Sequence, residues 1–291
     1  MLIGAHVSTG GGLPTAIQRG AERGCESIQI FHQSPRMWRP TRYGPDDFAA
    51  FREAMDASPV DAVVIHAVYL INCATREPDL REKSLTSLTH ALRVGDGIGA
   101  AGVVLHPGAQ KGEPHGPSMK RASKLIAEAL AESERTPLLL EQTAGHQGLL
   151  GRDFDETAAL IDGAGGGERL GLCLDSCHLF VQGYDICNAE KLSEVLDEAD
   201  RKVGLERLRA VHVNDAAVAL GSCRDRHANI GKGEMGRKGL TAFLSEPRFE
   251  GLPAAIETPG PDKRGPDKRE VQAAKRLRKA GLEARRSDEG G

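Results

Sequence analysis

The sequence predicts an α/β fold, a single-domain (β/α)8 TIM barrel, and three observations carry that expectation. Eight short apolar runs of strand length recur along the chain. Their ends lie 25 to 45 residues apart, which leaves room each time for a loop, a helix and a return. Helical patterns fill several of those gaps, and parallel strands require such crossovers. The runs share no repeated motif, which sets a solenoid aside.

In order, the runs are Leu2–His6, Ser27–Phe31, Ala62–His66, Gly102–His106, Pro137–Glu141, Leu170–Asp175, Leu208–His212 and Ala254–Glu257. Between the third and fourth, Leu85, Leu88 and Leu92 fall on one helical face. Ser118–Glu132 reads as a helix with Ser118 as its N-cap and Leu125, Ala129 and Leu130 on its apolar side. Glu190–Val203 carries Leu192, Val195, Leu196 and Ala199 in the same way. Glycines at Gly95–Gly102 and Gly163–Gly167 mark returns. No linker divides two compositions, so one barrel is expected over residues 1–285, with a short polar tail at 286–291 and fraying in the closing RRSDEGG.

Composition narrows the function classes. The 291 residues are 40 % hydrophobic and 27 % charged, as in an ordinary globular protein, and only 4 % aromatic, so the core must be aliphatic. No run of membrane-spanning length and no signal-peptide pattern is seen. Six cysteines without a CxxC pair suit reduced thiols in a cytoplasm. The net charge of −3 argues mildly against nucleic acid. That charge is uneven: residues 262–286 hold ten Lys or Arg against four acids, for which a solvated helix face is the plainer account.

Besides the first, which closes on His6, six of the runs end in a metal-ligand type: His66, His106, Glu141, Asp175, His212 and Glu257. In a barrel these ends meet at the mouth. One such residue is ordinarily packing, but six carboxylates and imidazoles together are costly to bury without a cation. Asp175-Ser176-Cys177-His178 adds His178 at the turn into a helix, and Asp225-Arg226-His227 adds two side chains two residues apart in a loop. The total is five His, two Asp and two Glu, enough for two or three ions with bridging carboxylates. Multi-metal clusters of that kind serve phosphoester hydrolysis.

The motifs IGAHVS, FHQSPRMW, HAVYLIN, VLHPG, LLLEQTAG, LCLDSCH, GYD, VHVND, DRHANIGKGEMG and IETPG occur in order from about residue 2 to about residue 280. In this the chain resembles the endonuclease IV family of zinc-dependent apurinic/apyrimidinic endonucleases. The resemblance implies three Zn2+ ions per chain, with Mn2+ able to substitute. It implies that His66, His106 and Glu141 hold one ion, that Glu141, Asp175, His212 and Glu257 hold a second, and that His178, Asp225 and His227 hold the third. Glu141 then bridges two ions and orients or deprotonates the nucleophile. The implied reaction is base-excision repair cleavage of the phosphodiester 5′ to an abasic site, leaving a 3′-hydroxyl and a 5′-deoxyribose phosphate, with trimming of blocked 3′ ends. The implied partner is double-stranded DNA, bound by a monomer in the cytoplasm at the nucleoid. Arg36, Tyr69 and Leu70 match the side chains that the family inserts into the duplex, and an abasic nucleotide is the cheapest to flip out.

Other residues are weaker cases. His6 suits packing beneath the site, His32 either a substrate contact or a plain loop position, and His90, His115 and His146 surface or loop positions. Cys177 suits packing, and Trp38 a loop anchor or a DNA contact. Lys111, Arg226 and Lys232 are placed to meet phosphates. Glu141, Asp175, His212 and Glu257 alone would also fit a sugar isomerase, so the added His and Asp residues discriminate. An endonuclease for other DNA damage and a non-catalytic DNA-binding barrel are the remaining rivals.

Overall fold

The structure, a computed structural model, describes residues 1–145 and 148–289. Eight parallel strands close into a barrel. They are β1 (Leu2–His6), β2 (Ser27–Phe31), β3 (Ala62–His66), β4 (Gly102–Leu105), β5 (Leu138–Glu141), β6 (Leu170–Asp175), β7 (Leu208–His212) and β10 (Pro253–Ile256). Around the barrel they follow the order β1-β10-β7-β6-β5-β4-β3-β2. Five coincide residue for residue with the expected runs, and the other three differ by one residue at one or both ends. His106 and Glu257 therefore lie just beyond their strands. Two short strands, β8 (Asp215–Ala216) and β9 (His227–Ala228), form a separate antiparallel pair outside the barrel.

Helices α1 (Pro14–Arg23), α2 (Pro45–Asp56), α3 (Pro78–Ile98), α4 (His115–Ala131), α5 (Phe154–Gly163), α6 (Ser176–Gln182), α7 (Ala189–Lys202), α8 (Gly236–Leu244) and α9 (Lys268–Glu289) run between and around the strands. Leu88 and Leu92 are buried on α3, and Leu192, Leu196 and Ala199 on α7. Ser118 is not a cap. α4 begins three residues earlier, after Pro114, and the Ser118 hydroxyl donates to the Pro114 carbonyl at 2.9 Å from inside the first turn. α9 continues to Glu289. Gly281 lets α9 approach α8 where a Cβ would meet the Ser245 hydroxyl at 2.5 Å, and Arg285 reaches Ser245 and Glu246. No helix among the described residues is long and apolar enough to cross a membrane.

The barrel interior explains where the site sits. Val64, Val104, Leu139, Cys173 and Ala210 form their own buried cluster, one residue from each of β3 to β7. Two residues further along each strand, and so on the same face, come His66, His106, Glu141, Asp175 and His212. The alternation that packs the barrel floor thus stacks a polar layer directly above it.

Candidate metal centre

Glu141 is the hub of that layer. It is buried, and each of its oxygens faces two imidazoles. Oε2 lies 2.9 Å from His106 Nε2 and 3.3 Å from His66 Nε2. Oε1 lies 3.0 Å from His212 Nδ1 and 3.2 Å from His178 Nδ1. Asp175 shows how local structure positions ligands. Its Oδ1 caps α6 by accepting from the His178 amide at 3.0 Å, which seats His178 in the first helical turn, facing inward. Its Oδ2 is left for the mouth, 3.6 Å from His212 Nδ1 and 3.9 Å from His227 Nε2.

The Asp225–His227 loop is carried over the mouth by the β8–β9 pair, in which Ala216 faces His227. There Asp225 lies 3.3 Å from His178 Nε2 and 3.1 Å from His227 Nε2. Among the described residues, five groups of donor atoms each lie within 4.8 Å: His66–His106–Glu141, Asp175–His212–Glu257, His178–Asp225–His227, Glu141–Asp175–His178 and Asp175–Cys177–His227. The nine residues singled out in the sequence all occur among them.

Two properties of this donor set fit divalent metal. His178 Nε2 and His227 Nε2 are buried without a well-directed hydrogen bond, as lone pairs reserved for a cation would be. The outer nitrogens are oriented by acceptors: His66 Nδ1 donates to the Ala67 carbonyl at 2.6 Å and His178 Nδ1 to the Gln142 carbonyl at 3.0 Å, leaving each Nε2 for a ligand.

The electrostatics of the metal-free cluster follow from its packing. Burial alone would raise the Glu141 carboxyl, but His106 and His212 outweigh it and hold it well below the usual range. Burial likewise opposes ionisation of Asp175 and Glu257, and the imidazoles facing them prevail, so both lie low. Burial disfavours charge on His178, His212 and His227, yet the carboxylates around them push all three up, His227 to about 9. Protons shared between imidazoles and carboxylates thus neutralise the cluster.

Other expected residues sort themselves by position. Tyr69 is 60 % exposed on the loop after β3, its ring 5.1 Å from that of His66 and 5.9 Å from that of His106. Arg36 is exposed and shares with Tyr69 and Glu257 a cleft of about 960 Å³. Leu70 is half-buried against the core rather than in that cleft. Trp38 packs on the core and lies beside Asp79, Glu82 and Lys83 of α3, as a loop anchor does. Lys111, Arg226 and Lys232 lie on mouth loops, all three exposed.

His32 does not face substrate. It is buried and pairs with Ser87 of α3 at 3.3 Å. His90 is half-buried on α3, stacked on Tyr43, rather than a surface position. His115 opens α4, and His146 lies outside the described residues. Burial pushes the Cys177 thiol up, towards the protonated form; its sulfur donates to the Arg226 carbonyl at 3.7 Å, although it also lies within reach of Asp175 and His227.

Several residues escape a reading of the sequence. Asn214 donates to Asp175 Oδ2 at 2.6 Å and to Glu257 Oε2 at 3.3 Å, and its own oxygen accepts from the Glu257 amide at 2.9 Å. Asp215 gathers the amides of Gly233, Met235 and Gly236 and so shapes the loop after β9. Asn72 ties the Tyr69 loop to Ala109 through both amide atoms. Gln29, in the middle of β2, contacts His6, His212 and Glu257. Met37 and Leu220, with Tyr69, are the exposed large apolar side chains of the described residues, and all three sit on mouth loops.

A barrel with a histidine–carboxylate centre at the C-terminal ends of its strands defines a class, and the sequence profile of the xylose isomerase-like TIM barrel family matches residues 17–280. Within that class the likeness is narrower. Probable endonuclease 4 of Geotalea daltonii is 37 % identical over 264 residues, 89 % of this chain and 92 % of that protein. Probable endonuclease 4 of Chloroflexus aurantiacus is 39 % identical over 258 residues, 88 % of this chain and 90 % of that one. The crystal structure of endonuclease IV from Thermus thermophilus superposes with a TM-score of 0.82 at 36 % identity, covering 98 % of this chain and 100 % of that one. The chain belongs to the endonuclease IV family of DNA-cleaving hydrolases.

Proposed function

We propose that this protein hydrolyses the phosphodiester 5′ to abasic sites in double-stranded DNA, leaving a 3′-hydroxyl and a 5′-deoxyribose phosphate, and that it trims blocked 3′ ends. The observation that carries the reading is the convergence of three donor groups on Glu141 beneath the exposed ring of Tyr69. Zinc is the expected metal, three ions per chain, because imidazole and carboxylate donors in groups of three or four suit it. When bound, the ions supply positive charge that activates water and stabilises the leaving oxygen.

The chain's own residues do the rest. Glu141 presents one oxygen to the His66–His106 side and the other to the His212–His178 side, so it is placed to orient the attacking water and to take up its proton. Asn214 holds the Asp175 and Glu257 carboxylates in register. Arg36, Tyr69 and Leu70 fill the duplex at the lesion, where a missing base makes unstacking cheapest. Asn72 braces the loop that carries two of them. A single subunit at the nucleoid suffices for this chemistry.

The test is incubation of metal-loaded protein with a duplex carrying one defined abasic site, together with elemental analysis. Nicking 5′ of the site, lost after prolonged chelation, with about three zinc ions per chain, is expected. Absence of nicking by metal-replete protein overturns the reading, and turnover of an aldose or ketose instead assigns the strand-end carboxylates to isomerisation.

A further inference from the structure

Gln29 lies on β2 with no solvent exposure, inside a barrel floored by apolar side chains. A buried amide is costly unless its polar atoms are paired. Here they are. Its Oε1 accepts from His212 Nε2 at 2.8 Å, and its Nε2 donates to Glu257 Oε1 at 2.6 Å and to His6 Nδ1 at 3.2 Å. The reverse orientation of the amide would aim its donors at the N–H of His212 and its oxygen at the Glu257 carboxylate, so the network fixes one orientation. Burial pushes His6 down to about 4, which keeps that ring neutral and able to accept.

The bonds choose atoms on two neighbouring residues. An acceptor at His212 Nε2 keeps a proton there, so Nδ1 is the nitrogen left for a cation once its own proton is displaced. Nδ1 is the atom that faces the carboxylates, 3.0 Å from Glu141 Oε1, 3.3 Å from Glu257 Oε2 and 3.6 Å from Asp175 Oδ2. A donor at Glu257 Oε1 turns Oε2 to that same centre. Among the described residues, Gln29 makes no hydrogen bond to His178, Asp225 or His227.

We propose that Gln29 is a positioning residue for the Asp175–His212–Glu257 group, setting the tautomer of His212 and the rotamer of Glu257 so that this one group takes up its divalent cation. The proposal rests on the metal-centre reading above. Partners that orient ligands in this way are generally worth about 10- to 100-fold in metal affinity.

The experiment compares wild type, Gln29→Met and Gln29→Leu, each loaded with zinc and titrated with a competing chromogenic chelator. Zinc retained is measured by elemental analysis. Both variants put an apolar side chain of similar size in place of the amide and remove its hydrogen bonds. We expect one equivalent to be released at roughly 10- to 100-fold weaker chelator strength while the others follow wild type. On an abasic duplex, kcat falls with KM unchanged, and added zinc restores it, which a folding defect would not allow. Release identical to wild type overturns the proposal. So does equal loss of every equivalent from both variants, which would place the role of Gln29 in the barrel rather than at one ion. A wild-type protein that retains no zinc at all overturns the metal-centre reading itself, and the proposal with it.

Discussion

Replacing Glu141 by glutamine removes one charge and one acceptor oxygen at the point where the donor groups meet. The change is close to isosteric in a fully packed position, so the barrel is expected to stay folded. What is lost is electrostatic. Glu141 faces imidazoles of His66, His106, His178 and His212 at 2.9 to 3.3 Å, and cations held among them would lie at comparable range. A unit charge pair at 4 Å is worth about 4 kcal/mol at an effective dielectric of about 20. A loss of that size in the transition state is about a thousandfold in rate, and divalent ions make it a lower bound. The assay is single-turnover nicking of a labelled duplex with one abasic site, with metal content and the metal-free melting temperature measured on the same sample. A rate within about tenfold of wild type in a folded variant would falsify the role of Glu141 as hub.

Three further outcomes are expected. Metal affinity should rise with pH. The raised pKa of His227, about 9 against 6.5, means that its pairing with Asp225 stabilises the metal-free protein fully below pH 6.5 and is lost as pH climbs through about 9. A metal ion must displace that proton, so chelator competition should show about tenfold tighter binding per pH unit for each proton released across this window, and a flat profile would refute the argument. Tyr69→Ala should weaken binding of an abasic duplex by about 1–3 kcal/mol, read by fluorescence anisotropy, while zinc content stays at the wild-type value; unchanged anisotropy would count against insertion. Gly4→Ala should destabilise the barrel by about 3 kcal/mol or more in thermal unfolding, since the new Cβ would stand 1.6 Å from the Ser27 carbonyl oxygen.

The candidate donors are legible because strand alternation is a local signal. A polar residue two places beyond an inward apolar one shares its face, and His66, Glu141, Asp175 and His212 are each that next residue. The residues that orient them are not legible, because their partners are far apart in the chain. Gln29 meets His212 across 183 residues and Asn214 meets Asp175 across 39. Nothing near either announces that meeting, although a glutamine between Ile28 and Ile30 is a hint that a buried acceptor is needed. The two alternatives at His32 could not be separated in the sequence for the same reason, since the buried hydroxyl of Ser87 that receives it belongs to a helix 55 residues on. Ser118 differs in kind: the helix start is decided by Pro114, whose fixed φ opens the turn three residues earlier.

The short β8–β9 pair divides the centre into two kinds of part. Every donor from β3, β4, β5, β6, β7 and β10 belongs to the closed sheet or its immediate ends, so its backbone position is set by the barrel. Asp225 and His227 ride on a ribbon of two residues per strand outside that sheet. A mutational path that shortened this one loop would delete most of a donor group yet leave Glu141, Asp175, His212 and Glu257 in place. That donor group is therefore the part of the centre whose geometry depends on the length of a loop rather than on the register of the barrel.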